Sequence, residues 1–125
     1  MSRKALIIDD SILLHRLYQH AFLRYADGKT ETCFATDGWE GLARLQEHPD
    51  VSVILLDVNM PGMGGLEFLE ALRKQPAFAH IPVILQTSED QGEDIQRGLT
   101  AGARAYLVKP FTPQQLHRVL DAVLA

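Results

Sequence analysis

The stretch Val51-Ser52-Val53-Ile54-Leu55-Leu56-Asp57-Val58-Asn59-Met60-Pro61 decides the fold. Residues Val51 to Leu56 are nearly all apolar, with Val and Ile prominent. So short and continuous an apolar run predicts a strand buried on both faces, which belongs in a parallel sheet covered by helices on each side. The run ends on a carboxylate, Asp57, and Pro61-Gly62 then stops regular structure. A single acid thus stands at the C-terminal end of a central strand, where open α/β sheets bind their ligands. Taken alone, Asp57 reads more readily as a turn residue or a helix cap than as a site. That reading loses ground because other polar residues end other strands in the same way.

Before that stretch, Lys4-Ala5-Leu6-Ile7-Ile8 forms a second apolar run, and it ends on Asp9-Asp10. Ser11 is a good N-cap for the helix that follows, whose apolar positions are Leu13, Leu14, Leu17, Tyr18, Ala21 and Tyr25. Thr30 to Ala35 predicts a weaker strand near an edge of the sheet. Asp37-Gly38 opens a second helix through Leu42 and Leu45, ending before Pro49. After the central strand, Leu66, Leu69 and Leu72 mark a third helix. Pro82 to Gln86 predicts a fourth strand, ending on Thr87-Ser88. A fourth helix from Asp90 to Thr100 has only Ile95 and Leu99 as main apolar residues, and Gly98 weakens it. Ala105 to Val108 predicts a fifth strand, ending on Lys109-Pro110. Thr112 caps the last helix with Pro113 at its first position, and Leu116, Val119, Leu120, Val123 and Leu124 make its inner face.

Five β-α units in strict alternation predict a parallel sheet with helices on both faces, doubly wound by right-handed crossovers. At 125 residues the chain is expected to be one domain, 1–125, with no attached output domain. The net charge of −4 argues against direct nucleic-acid binding, which needs a basic face. No apolar run reaches membrane-spanning length, and Met1-Ser2-Arg3-Lys4 leads straight into a strand, so a cytoplasmic location is expected. The lone Cys33, in an alternating run, reads as a buried structural thiol. His15, His20, His48, His80 and His117 show no ligand spacing and read as exposed or packing residues. Trp39 is expected to pack near the start of the second helix.

In a parallel sheet the strand ends lie on one edge, which collects Asp9, Asp10, Asp57, Thr87, Ser88 and Lys109. Three carboxylates placed together cannot all stay ionised without compensation. Mg²⁺ resolves this, since it takes one or two carboxylates with water and phosphate oxygens. Lys109 adds a cation and Thr87 a hydroxyl donor. Acid, metal, ammonium and hydroxyl together suit an aspartyl phosphate with the carboxylate as nucleophile. Each residue alone reads as a cap or a turn; their convergence at matching strand ends favours a site.

On Ile8-Asp9-Asp10-Ser11, Leu56-Asp57-Val58-Asn59-Met60-Pro61-Gly62-Met63, Gln86-Thr87-Ser88, Ala101-Gly102-Ala103 and Tyr106-Leu107-Val108-Lys109-Pro110-Phe111, the chain resembles the receiver domain of two-component response regulators, which includes the single-domain chemotaxis regulator. The resemblance covers essentially the whole chain. It implies a flavodoxin-like sheet of order 2-1-3-4-5, the order known for chemotaxis receivers. It implies Asp57 as phosphoacceptor, with Asp10, Asp57 and the Asn59 backbone carbonyl as Mg²⁺ ligands and Asp9 acting through metal-bound water. It implies that Lys109 holds the phosphoryl group or the free acceptor, before a cis bond to Pro110. Thr87 and Tyr106 are the implied switch pair, and Asn59 and Glu89 the positions that tune phosphoryl lifetime. The implied partners are a sensor histidine kinase or phosphotransfer protein and a downstream protein target. That target would dock on the face around Tyr106, Gln91 to Leu99 and Thr112 to Val119. A monomer or a phosphorylation-dependent dimer is expected, and no enzyme activity beyond the domain's own phosphorylation and dephosphorylation. Two departures stand out: Gly64 weakens the cap of the third helix, and Gln86 is polar in an apolar strand.

Three other readings compete. A phosphorylation-independent interaction module would keep the acid pocket unused. An aspartyl-nucleophile phosphohydrolase would need a general acid two residues after the nucleophile, where Asn59 stands. A flavodoxin-like cofactor binder would need a Gly-, Ser- or Thr-rich phosphate loop where Asp9-Asp10-Ser11 stands.

Overall fold

A computed structural model describes residues 3–26, 28–60, 62–88 and 92–124. Strands and helices alternate along the described chain: β1 (Lys4–Ile8), α1 (Ile12–Leu23), β2 (Glu31–Ala35), α2 (Gly38–Glu47), β3 (Val53–Asp57), α3 (Gly65–Arg73), β4 (Val83–Thr87), α4 (Gly92–Thr100), β5 (Ala105–Val108) and α5 (Pro113–Leu124). All strand pairings are parallel, in the order β2-β1-β3-β4-β5. This is the expected doubly wound arrangement, and the weak strand from Thr30 lies at an edge as its sequence implied. β3 and β4 are buried at every position, as continuous apolar runs require.

Side-chain alternation splits the core into two layers. On one face Leu6, Ile8, Ile54, Leu56 and Leu85 pack with Leu45, Phe68, Leu69 and Leu72 from α2 and α3. On the other, Ile7, Val53, Leu55, Ile84 and Leu107 pack with Tyr18, Phe22, Leu116 and Leu120 from α1 and α5.

α1 departs from its predicted face. His15, Tyr18, Ala21 and Phe22 are buried, whereas Leu13 is 69% and Leu17 57% exposed. At about 100° per residue both leucines lie well round the helix from Tyr18. Apolar residues occupy two stripes of this helix, and the sheet takes the stripe bearing the bulkier aromatic rings. Trp39 does stand at the start of α2, but it is 65% exposed rather than packed. Cys33 is only half-buried; its thiol lies 3.7 Å from the Ala5 carbonyl, and burial raises its pKa. The predicted start of α4 falls on Asp90, outside the described residues.

Gly98, a weakness in the sequence, turns out to be a packing requirement. A Cβ there would collide with the Leu85 side chain, so glycine lets α4 lie close on the sheet. The caps follow expectation. Ser11 Oγ accepts from Leu14 N–H and Asp37 from Glu40 N–H. Thr112 and Gln115 form a reciprocal capping box, and Gly64 offers α3 no side-chain cap.

Candidate functional site: an acidic cluster at the strand ends

The register places Ile8 beside Leu56, Asp57 beside Gln86 and Thr87 beside Val108. The side chains that follow or end these strands therefore meet on one edge of the sheet. Asp9 is fully buried. Its Oδ1 accepts Ser11 N–H at 2.9 Å and its Oδ2 accepts Lys109 Nζ at 3.1 Å. Asp57 is nearly as buried. Its Oδ1 accepts Asn59 N–H at 3.2 Å and lies 3.5 Å from Lys109 Nζ. Asp10 is exposed and forms the rim. One oxygen from each of the three acids lies within 4.8 Å of the others.

Lys109 ion-pairs with both Asp9 and Asp57, so one cation faces three carboxylates. The imbalance shows at Asp57, whose carboxyl is pushed up to about 6 from 3.8. Burial is the main cause, and the negative charges of Asp9 and Asp10 add to it. Lys109 and the Asn59 N–H act the other way.

The donor set consists of carboxylate oxygens, the chemistry a hard divalent cation requires. Beside it opens a cleft of about 430 Å³ bordered by Asp10, Asn59, Met60 and Glu67. The residues present therefore fit Mg²⁺. Gly65 lets α3 start against this loop, because a Cβ there would collide with the Asp57 carbonyl.

Thr87 is buried, with its hydroxyl donating to the Ser88 carbonyl at 3.1 Å. Tyr106 is 46% exposed and points away from the acids' layer into a surface cleft with Phe111, Gln115 and Arg118. The Lys109–Pro110 bond is cis. Glu89 and Gln91 lie outside the described residues. The sequence-predicted residues Asp9, Asp10, Asp57, Asn59 and Lys109 are thus brought together, with Thr87 at the end of the adjacent strand.

The partners of two residues were not readable from the sequence. His15 is buried, stacks on Phe34 at 4.7 Å, and places Nε2 2.7 Å from the Asp9 carbonyl oxygen. Its position one turn after the Ser11 cap was the available signal. Gln86, for which the sequence suggests at most a local hydrogen bond, instead accepts the hydroxyl of distant Tyr18 through Oε1 in a buried layer. Burial, then the charges of Asp9 and Asp57, push the Tyr18 phenol up and keep it protonated.

Fold and site together define a class: a doubly wound α/β domain with an acid cluster and one lysine at the strand ends. Comparison with known proteins gives the family. Residues 5–121 match the family model of the response regulator receiver domain. The chain is 36% identical over 121 residues to the chemotaxis protein CheY1 of Helicobacter pylori, covering 97% of this chain and 96% of that one. It is equally similar to the CheY homolog of Campylobacter jejuni, over 97% and 92%. Chemotaxis CheY4 of Vibrio cholerae superposes with a TM-score of 0.88 at 38% identity, over 98% and 99%. The chain belongs to the receiver domains of two-component response regulators and is of the CheY-like kind.

Proposed function

We propose that this receiver is a phosphorylation-dependent switch, with Asp57 as the phosphoacceptor. The observation that carries this is the buried Asp57 carboxylate at the end of β3, grouped with Asp9 and Asp10 and ion-paired to the Lys109 ammonium. An Asp57 carboxylate oxygen attacks the phosphorus of a phosphohistidine on a sensor kinase or phosphotransfer protein. The P–O bond forms, the P–N bond breaks, and the imidazole leaves. Asp10, Asp57 and the Asn59 carbonyl would hold Mg²⁺, with Asp9 acting through water. The ion supplies positive charge against the phosphoryl oxygens. Lys109, already within reach of Asp9 and Asp57, turns to the incoming phosphoryl group. Thr87 gives up its bond to the Ser88 carbonyl to donate to a phosphoryl oxygen. Tyr106 then leaves the surface for the space behind Thr87, and the α4-β5-α5 face changes for a downstream protein. Asn59 borders the acids and, with Glu89, bears on the water that ends the phosphorylated state.

Exposure supports a seat for the phosphodonor on α1. Leu13, Leu17 and Ile12 stand out from α1 beside the acid rim. They adjoin an apolar cavity of about 470 Å³ lined by Leu14, Tyr18, Lys109, Pro110 and Phe111. An exposed apolar patch next to the acceptor suits a partner's helical surface. No described helix is long and apolar enough to cross a membrane, and a cytoplasmic setting accords with the proposed partners.

The test is intact-protein mass spectrometry after incubation with acetyl phosphate, with and without Mg²⁺. One phosphoryl adduct that requires Mg²⁺ and disappears in Asp57→Asn is expected. An equal adduct in the variant would move the acceptor elsewhere. No adduct from acetyl phosphate or a phosphohistidine donor would favour the phosphorylation-independent module, and steady turnover of phosphomonoesters would favour the hydrolase.

A further inference from the structure

Gln86 is completely buried in β4, in a layer otherwise made of Ile, Leu, Val and aromatic side chains. Its Oε1 accepts the Tyr18 hydroxyl, and its Nε2 has no partner among the described residues. A buried amide nitrogen left unpaired costs about 1–3 kcal/mol, so an unsatisfied donor at this depth calls for an explanation. The register supplies one. Gln86 is the direct neighbour of Asp57 on β3. Leu55 and Ile84, two residues before each, belong to the same core layer, so Gln86 and Asp57 project from the same face of the sheet. Asp57 takes the Asn59 N–H on Oδ1, and no hydrogen bond from a described residue reaches Oδ2. Among the described residues, an unpaired buried donor therefore stands at the position paired with an acid whose Oδ2 accepts no hydrogen bond.

We propose that Gln86 is a positioning residue for Asp57: its side-chain N–H donates to the Asp57 carboxylate, and Tyr18 fixes which end of the amide is presented. Tyr18 can do this because it is a proton donor. Its hydroxyl claims the oxygen end and leaves the nitrogen end available to donate. Burial and the nearby acids keep the phenol protonated, so the orientation persists across the neutral range. Adjacent strands lie only about 4.8 Å apart, which puts two side chains at paired positions on one face within hydrogen-bonding reach. The hydrogen bond holds the carboxylate in one rotamer for attack. An apolar residue at position 86 would leave that rotamer to the Asn59 N–H and Lys109 alone.

This inference rests on Asp57 being the phosphoacceptor, and the experiment separates the two. Labelling rates with acetyl phosphate would be measured for wild type, Gln86→Leu and the double variant Tyr18→Phe/Gln86→Leu. The double variant leaves no unpaired hydroxyl, so it keeps the fold if the single variant suffers. Both variants are expected to label about tenfold more slowly, the worth of one hydrogen bond to a charged group, while still reaching full labelling at Asp57. In parallel, NMR would follow solvent exchange of the Gln86 side-chain amide protons. One proton is expected to be protected in wild type and to lose protection in Asp57→Ala. Wild-type labelling rates in both variants, or protection that survives Asp57→Ala, would overturn the proposal. If wild type itself does not label, the phosphoacceptor reading falls, and the exchange data alone decide whether the hydrogen bond exists.

Discussion

Replacing Asp57 by Asn should stabilise the metal-free domain at neutral pH. The folded protein raises the Asp57 carboxyl from 3.8 to about 6, chiefly by burial and then by Asp9 and Asp10. A raised carboxyl pKa means the folded state disfavours the ionised form. Below pH 3.8 the group is protonated in both folded and unfolded chains and costs nothing. The cost grows as pH rises from 3.8 and is complete above about 6. The gap corresponds to at most about 3 kcal/mol. The rim beside Asp10 is open to water, and screening there reduces the figure to about 1–2 kcal/mol. Urea unfolding of wild type and Asp57→Asn in chelator should therefore show the variant more stable by that amount at about pH 7, with the advantage vanishing near pH 4. Comparing the two pH values removes any pH-independent effect of the substitution. Added Mg²⁺ should stabilise wild type more than the variant and narrow the difference. A variant no more stable at neutral pH, or one with the same advantage at both pH values, would refute the electrostatic argument.

Two further substitutions test the scaffold. The Arg73 guanidinium donates to the Ala79, Ile81 and Gly102 carbonyls, joining the chain after α3 to the turn before β5. Arg73→Ala should cost about 2 kcal/mol, read from thermal unfolding, without changing the extent of phosphoryl labelling. Gly98→Ala should cost about 1–3 kcal/mol in urea unfolding, because the new methyl meets buried Leu85, and should weaken hydrogen-exchange protection in α4 first.

The strands and the convergence of Asp9, Asp57 and Lys109 were legible because both depend on short-range pattern. An apolar run ending on a polar residue is local information, and a parallel sheet carries every such end to one edge. What could not be read depends on choices made by distant parts of the chain. α1 carries apolar residues on two stripes, and only docking on the sheet selects Tyr18 and Phe22 over Leu13 and Leu17. The partner of Gln86 lies 68 positions away, on α1. Gly98 looks like a helix breaker until Leu85 is placed under it. Arg73 likewise looks like a solvated C-terminal cation until the turn at Gly102 comes within 2.7 Å.

The electrostatic cost of the site and its proposed role have one origin. Two packed layers bury β3 and β4 completely, and that rigid support holds Asp9 and Asp57 close enough to repel. A softer edge would let the carboxylates separate into water, and the driving force for binding a cation would fall with their repulsion. Because Lys109 is the one cation paired with the cluster among the described residues, a bound cation would stabilise the arrangement by relieving a penalty the fold already carries. In the proposed switch, a phosphoryl group on Asp57 would change the charge at the same point, with Thr87 at the end of the adjacent strand. A ligand shifts a two-state equilibrium only by its differential interaction with the two states. The proposed charge change at Asp57 would supply that difference, and β4 and β5, paired at Thr87 and Val108, would carry it toward the surface.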